Sequence, residues 1–211
     1  MLTAGSAAAW ACRRRPGLDA TSCADGLSRE PDLGNRRPGT ALVIVAAMNG
    51  PAERVSATRR IALPAHKVFL AVTDPACHVR IDGSGMLQNA GGARRLQTVG
   101  DTFDIQMDRQ PLGDVAGVEW LPRHYTIRNI VTRIVPDRLL EWAPALAGNA
   151  PTGRVYGWQI EPAGDTTCDV TNYCDWHAIS DELRARLTWP VVPTAALERS
   201  TENLARMLTR A

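Results

Sequence analysis

With 211 residues, 45% of them hydrophobic and 22% charged, the chain has the balance of a folded globular protein and is long enough for one domain with a large core, or for one domain plus a tail. The formal charge is +2 and arises at the N-terminus: residues 1–47 hold six Arg against four acidic groups, leaving 18 basic and 18 acidic residues in the remainder, which excludes a nucleic-acid footprint or a polybasic membrane patch. No apolar run approaches the roughly 18 residues a membrane span needs, and the five cysteines (Cys12, Cys23, Cys77, Cys168, Cys174), odd in number and without C-x-x-C spacing, do not form a disulfide framework, so a cytoplasmic protein is expected.

Residues 1–40 mix small residues with Arg, Pro, Gly and Asp and show neither a helical nor a strand period. Arg13, Arg14 and Arg15 follow the Ala-rich stretch instead of preceding it, which is the wrong order for a secretory signal. The expected organisation is a disordered extension over 1–47 and a folded domain over 48–211. Met48 reads as the biological start, with a native disordered tail as the alternative; a mature product that begins at Met1 by intact mass would rule the first reading out.

In the body, Val55, Ala57, Arg59 and Ile61 alternate with Ser56, Thr58, Arg60 and Ala62 as a first strand. Pro64 opens a helix with an apolar stripe of Val68, Phe69 and Val72, which Asp74-Pro75 stops because the residue before proline is pushed out of the α region. A second short helix over 76–81 leads into Asp82-Gly83-Ser84-Gly85. This resembles half a dinucleotide fingerprint, but it lacks the third glycine and a preceding buried parallel strand, so it is read as a turn. Residues 94–99 are expected to be a strand. Thr102–Asp108 is another, with Phe103, Ile105 and Met107 on a buried face and Asp104, Gln106 and Asp108 on a wet one. A loop over 110–122 carries Trp120 near the sheet.

The clearest stretch runs from Arg123 to Trp142 and reads as a long β-hairpin. Tyr125, Ile127, Asn129 and Val131 share one face, Pro136-Asp137 suits a type I turn, and Leu139, Leu140 and Trp142 return alongside. Beyond Val131 the apolar phase shifts to Ile130 and Ile134, which requires a bulge or bend near 131–133. Asn129 stands among apolar positions. A buried amide without a partner costs about 1–3 kcal/mol, so it needs a protein partner, a water or a ligand.

After a Pro/Gly-rich loop over 144–153, strands over 154–161 and 167–176 form a second hairpin across Pro162-Ala163-Gly164-Asp165. Tyr156, Trp158 and Ile160 share one face of the first, and Val170, Asn172, Cys174 and Trp176 one face of the second. Ser180 caps a short helix with Asp181 and Glu182 in its first turn. A long terminal helix after Pro193 carries the stripe Leu197, Thr201, Leu204 and Leu208, with Met207 beside it. Consecutive hairpins exclude a parallel doubly wound sheet. The expected fold class is α+β: a curved antiparallel sheet of about six to seven strands gripping the C-terminal helix, with two short helices after the first strand.

These segments, LPAHKVFLAVTDPA, IDGSG, VGDTFDIQM, YTIRNIVTRIVPDRLLEWAP, a Trp-bearing strand ending in EPAG and DTTCDVTNYCDW, together resemble the START-like helix-grip (SRPBCC) superfamily, and within it the polyketide cyclase/dehydrase and lipid-transport group. The resemblance covers about residues 54–209. It implies a long cavity between the concave sheet face and the C-terminal helix. Phe is scarce in the body, with Phe69 and Phe103, whereas Trp120, Trp142, Trp158, Trp176 and Trp189 supply flat amphipathic rings that suit either a cavity wall or a packed core.

The expected ligand-binding residues are Phe103, Met107, Trp120, Tyr125, Asn129, Trp142, Trp158, Asn172, Cys174 and Trp176, with His78, Arg80 and Asp82 at the mouth. His66, His78, His124 and His177 show no metal-ligand spacing, and neither a metal nor a cofactor is expected. Cys174, Asp175 and His177 do not form a nucleophile set, because alternation places Cys174 and Asp175 on opposite faces of their strand. The expected function is binding of a small hydrophobic molecule, a lipid, sterol-like or aromatic/polyketide compound. The alternatives are a cyclase or dehydratase on an aromatic or polyketide-like substrate, with Asn or Tyr polarising a carbonyl and His78 or Asp82 as base, and an interaction module with a filled core. No catalytic residue is assigned; no nucleic acid and no stable membrane insertion are expected, and no protein partner is specified.

Overall fold

The computed structural model describes residues 53–113, 118 and 120–210, all within the unit Met48–Ala211; the expected extension over 1–47 lies outside the described residues. Seven strands, β1 (Arg54–Ile61), β2 (Leu87–Asn89), β3 (Thr102–Asp108), β4 (His124–Val135), β5 (Leu139–Leu146), β6 (Val155–Pro162) and β7 (Cys168–Asp175), form one curled antiparallel sheet in the order β1-β7-β6-β5-β4-β3-β2. Helices α1 (Ala65–Val72) and α2 (Pro75–Ile81) follow β1; α3 (Asp181–Arg186) and the long α4 (Thr194–Thr209) follow β7. The arrangement is the α+β helix grip expected from the pattern.

The local signals act as their chemistry requires. Asp74 caps α2 by accepting from Ala76 N at 3.0 Å, and Ser180 caps α3 by accepting from Leu183 N at 3.3 Å. In the β4–β5 hairpin the bulge falls where the phase shift placed it: Val131 pairs with Trp142 and Arg133 with Glu141, leaving Thr132 extra. Thr132 Oγ1 donates to Glu141 Oε1 at 2.9 Å, while Tyr173 donates from its hydroxyl to the other oxygen at 2.7 Å. The bulge returns Ile134 to the inner face, where it packs with Val131, Leu140 and Phe103.

Three expectations are corrected. The Pro136-Asp137 turn is not type I, since Asp137 adopts φ 61° and both central residues of a type I turn have negative φ. Residues 94–99 are not a strand. Their amides are committed elsewhere: Leu96 N donates to Thr73 O at 2.8 Å, and Gln97 N and Thr98 N donate to the Asp101 carboxylate. The sheet is instead extended by the short β2, which the pattern did not reveal. Finally, β5 continues through Pro144 to Leu146. It pairs with β6 only from Leu139 to Trp142 and thereafter with β4 alone, so Pro144 stands where one side of the strand has no ladder and its missing N–H leaves no bond unmade.

The inner face meets α4 in two different ways. Toward the C-terminal end of the helix, Leu204 is fully buried in a cluster with Ile61, Val68, Val72, Ile81, Trp158, Ile160 and Val170, and Met207 and Leu208 pack against it. Toward the N-terminal end the buried residues are mostly small, Ala196 and Ser200 beside Leu197. There the Asp82-Gly83-Ser84-Gly85 turn docks on the helix: Gly83 N donates to Ser200 Oγ at 2.9 Å, and Arg199 Nε donates to Gly83 O at 2.8 Å. A Cβ on Gly83 would stand 2.1 Å from Ala196 O and 2.6 Å from Ser200 N, so only glycine permits this approach.

The turn motif therefore holds the helix in place. Gly83→Ala is expected to lower unfolding free energy by about 1–3 kcal/mol through overpacking, read as a reduced midpoint in urea unfolding; a loss below about 0.5 kcal/mol would show that the turn and helix move apart freely.

Candidate functional site

Where β5 and β6 part and α4 offers small residues, the sheet and helix enclose a cavity of about 250 Å³. Its floor is the inner face of β3, β4 and β6: Phe103, Ile105 and Met107; Tyr125, Ile127 and Asn129; Tyr156 and Trp158. Its roof is Ala196, Leu197 and Ser200 of α4 with Leu183, Leu187, Trp189 and Val191 of the preceding segment. Eight of the ten residues expected at a ligand site lie on this wall: Phe103, Met107, Trp120, Tyr125, Asn129, Trp142, Trp158 and Asn172. Trp120 stands at the rim, 59% exposed.

Cys174 and Trp176 lie off the wall. They share the inward phase of β7, but beyond Asn172 that phase is covered: both are buried in a cluster with Ile179, and Trp176 stacks on Trp189 at 5.5 Å between ring centroids. Burial pushes the Cys174 thiol up to about 11, so it stays protonated at neutral pH. Asp175 instead engages His177, whose Nδ1 is 2.5 Å from its Oδ1 on the exposed side, and no nucleophile set converges. Cys77, Cys168 and Cys174 are free thiols.

The two amides on the wall are only partly engaged. Asn129 Nδ2 donates to Phe103 O at the long distance of 3.4 Å, and Asn172 Nδ2 donates to Gly157 O at 3.1 Å. Neither side-chain oxygen accepts a hydrogen bond from a described residue. Each buried amide thus has its donor satisfied by the sheet and its acceptor left to the contents of the cavity.

Four titratable groups missing from the expected ligand-binding set line the cavity: His78, Asp82, Arg154 and Tyr156. His78, expected at the mouth, is buried between Phe103 and Trp142, with ring centroids 5.4 and 4.9 Å away. Its Nε2 lies 2.6 Å from Val72 O, an oxygen that can only accept, so Nε2 carries the proton. Asp82 shares the wall, its oxygens taken by Ser84 N, Ser84 Oγ and Leu87 N. Arg80 does not; it points to the far side of α2, near Asn203 and Arg206. The other two groups, Tyr156 and Arg154, were findable: extending the period-two phase of Trp158 and Ile160 backwards reaches both. Gly153, at φ 93°, makes the placement of Arg154 possible, since a Cβ there would meet Ala178 O at 2.2 Å. His78 and Asp82 follow from no period, because α2 and its turn are oriented by tertiary packing alone.

The fold is the helix-grip fold, the one that START-like (SRPBCC) proteins share. No family model matches the chain. The uncharacterized protein Rv0088 of Mycobacterium tuberculosis is 30% identical over 149 residues, 71% of this chain and 59% of that protein, so the chain spans about three fifths of the length of the curated relatives it matches. Among solved structures, protein Ms6760 from Mycobacterium smegmatis is similar with a TM-score of 0.53 at 13% identity, over 75% of this chain and 92% of that one. Truncated norcoclaurine synthase from Thalictrum flavum gives 0.50 at 14% identity, over 78% and 99%. At these identities the likeness is one of fold. No helix among the described residues is long and apolar enough to cross a membrane.

His78 gives the site a measurable signature. Burial holds its pKa below the ordinary value, so between the two values the unfolded chain binds a proton that the folded protein refuses, and stability rises with pH there. Stability by urea unfolding is therefore expected to fall as pH is lowered from about 8 through about 6.5 to about 5.5, above the range where Asp104, Asp108 and Asp169, held low by Arg128, Arg123 and Arg60, take up protons. His177, raised by Asp175, works in the opposite sense. His78→Gln should flatten the fall; a variant with an unchanged slope would assign it to another group.

Proposed function

We propose that the domain over 48–211 binds a small hydrophobic molecule in the cavity beneath α4. The observation that carries this reading is a mostly apolar wall left unfilled in the middle of an otherwise packed sheet–helix interface, with the acceptors of Asn129 and Asn172 turned to its contents. A volume of about 250 Å³ suits a molecule of roughly two fused rings or a medium acyl chain. The aromatic lining, with Trp142 and Tyr156 stacked at 6.3 Å, favours a planar or flexible apolar body. Phe103, Met107, Trp120, Tyr125, Asn129, Trp142, Trp158 and Asn172 contact the ligand in this reading, and free Cys77, Cys168 and Cys174 suit a reducing, cytoplasmic setting. The open volume counts against a filled-core interaction module.

A second reading, a cyclase or dehydratase on an aromatic or polyketide-like substrate, draws on His78. It is the one imidazole among the described wall residues, kept neutral by burial, and a neutral imidazole is the kind of group that takes a proton α to a carbonyl. Protein taken gently from its host and examined by native mass spectrometry separates the two: unchanged lipid or pigment favours the carrier, a cyclised or dehydrated product the enzyme.

Binding itself is tested with the neutral fluorophore N-phenyl-1-naphthylamine. The wild type is expected to bind it with enhanced emission, and Ile127→Trp, which adds a ring to the cavity floor, to lose at least about tenfold in affinity with its melting temperature within a few degrees. An unaffected variant would place the probe elsewhere on the protein.

A further inference from the structure

The cavity wall contains a cation that no described residue neutralises. Arg154 makes no hydrogen bond and no ion pair with any described residue, and its Nε is sealed from solvent without a partner. Its guanidinium carbon lies 5.4 Å from the ring centroid of Tyr156 and 6.0 Å from that of Trp189, so its nearest support is aromatic faces. The one carboxylate among the described wall residues, Asp82, has its oxygens committed to Ser84 and Leu87. Most arginines elsewhere in the body that approach a carboxylate do so on the surface, as in Arg60–Asp169, Arg123–Asp108 and Arg128–Asp104. Arg154 differs: it is drawn inward, and no described carboxylate pairs with it.

A second observation falls at the same place. Among the described residues, the buried side-chain nitrogens without a hydrogen-bond partner are Arg154 Nε and Trp189 Nε1, and both residues line this cavity and lie in cation–π contact with each other. Two orphaned donors side by side, one charged, are the complement of an anionic acceptor. The phenols of Tyr125 and Tyr156 stand in the same part of the wall, and burial keeps both protonated; the Tyr156 hydroxyl is paired with Cys174, which leaves Tyr125 as the further donor.

On the reading that the cavity binds a small hydrophobic molecule, we infer that its ligand ends in a carboxylate, with Arg154 as the residue that pairs it and Trp189 as a flanking donor. A carboxylate fits better than a phosphate. The wall offers one guanidinium, whose planar fork matches a carboxylate in number and geometry of acceptors, whereas a dianion would bring a second charge into an apolar site with no second cation. The apolar body of the ligand then runs away from Arg154 toward Asn172, Asn129 and Phe103. Arg154 is a binding residue in this account and needs no chemical step.

Displacement of N-phenyl-1-naphthylamine by decanoate and by decanamide at about pH 8 tests the inference, since the two competitors share a chain and differ in charge. In the wild type, decanoate is expected to displace the probe at about tenfold lower concentration or better, the worth of a charge-assisted pair. Arg154→Met should keep the probe and lose the preference; Arg154→Lys should keep part of it. Equal displacement by the two competitors in the wild type, or a preference that survives Arg154→Met, overturns the carboxylate while leaving the cavity standing. A wild type that does not bind the probe removes the cavity reading itself. Should Arg154→Met fail to fold, the wild-type comparison alone decides.

Discussion

The structure depends on how one amphipathic helix covers a sheet face that is too large for it. The inner face runs across seven strands, and α4 brings large side chains to only part of it. Around Leu204 the match is complete and the interface is a packed core. One to two turns toward the N-terminus the helix presents Ala196 and Ser200 instead, and the space opposite is closed by a shell of loops and by α3. The same helix thus stabilises the domain with one half and spares a cavity with the other.

Keeping such a space open requires that its rim be held from outside. The turn at Gly83 provides this on one side, bonded to Ser200 and Arg199 and so close to the α4 backbone that no side chain intervenes. On the other side, Gly153 passes beneath the backbone of Ala178, which fixes the start of β6 and turns Arg154 inward. Between them, β5 loses its β6 partner after Trp142 and carries Pro144 where no ladder bond is required. The opening in the sheet and the stiffness of its borders have the same origin, a few positions where backbone geometry excludes ordinary side chains.

The polar groups of the cavity follow a consistent rule. Asn129 and Asn172 satisfy their donors on neighbouring strands and keep their acceptors free; His78 commits its proton to Val72; Asp82 is saturated by its own turn. Each is anchored by the scaffold, which limits the cost of burial. Arg154 and Trp189 depart from the rule: each keeps a buried nitrogen that no described residue engages.

Much of this was legible in the chain. Alternation along β3, β4, β6 and β7 assigned the inner face, the broken phase at Val131 announced the bulge, and helical spacing located the stripe of α4. These signals survive because a half-buried element must repeat with the period of its backbone. Where backbone amides are taken up by side chains and loops, as over 94–99, propensity misled, and the short β2 left no period to read. The closing of the inward phase beyond Asn172, which removes Cys174 and Trp176 from the wall, could not be seen along one strand. Nor could the burial of His78, which depends on how α2 packs against Phe103 and Trp142. Arg154 shows the boundary most sharply: its strand phase is written in the sequence, but whether an inward arginine meets a carboxylate depends on residues distant in the chain. Periodicity determines which side chains face inward, and only the tertiary structure decides what they face, because partners are chosen by packing between elements and not within them.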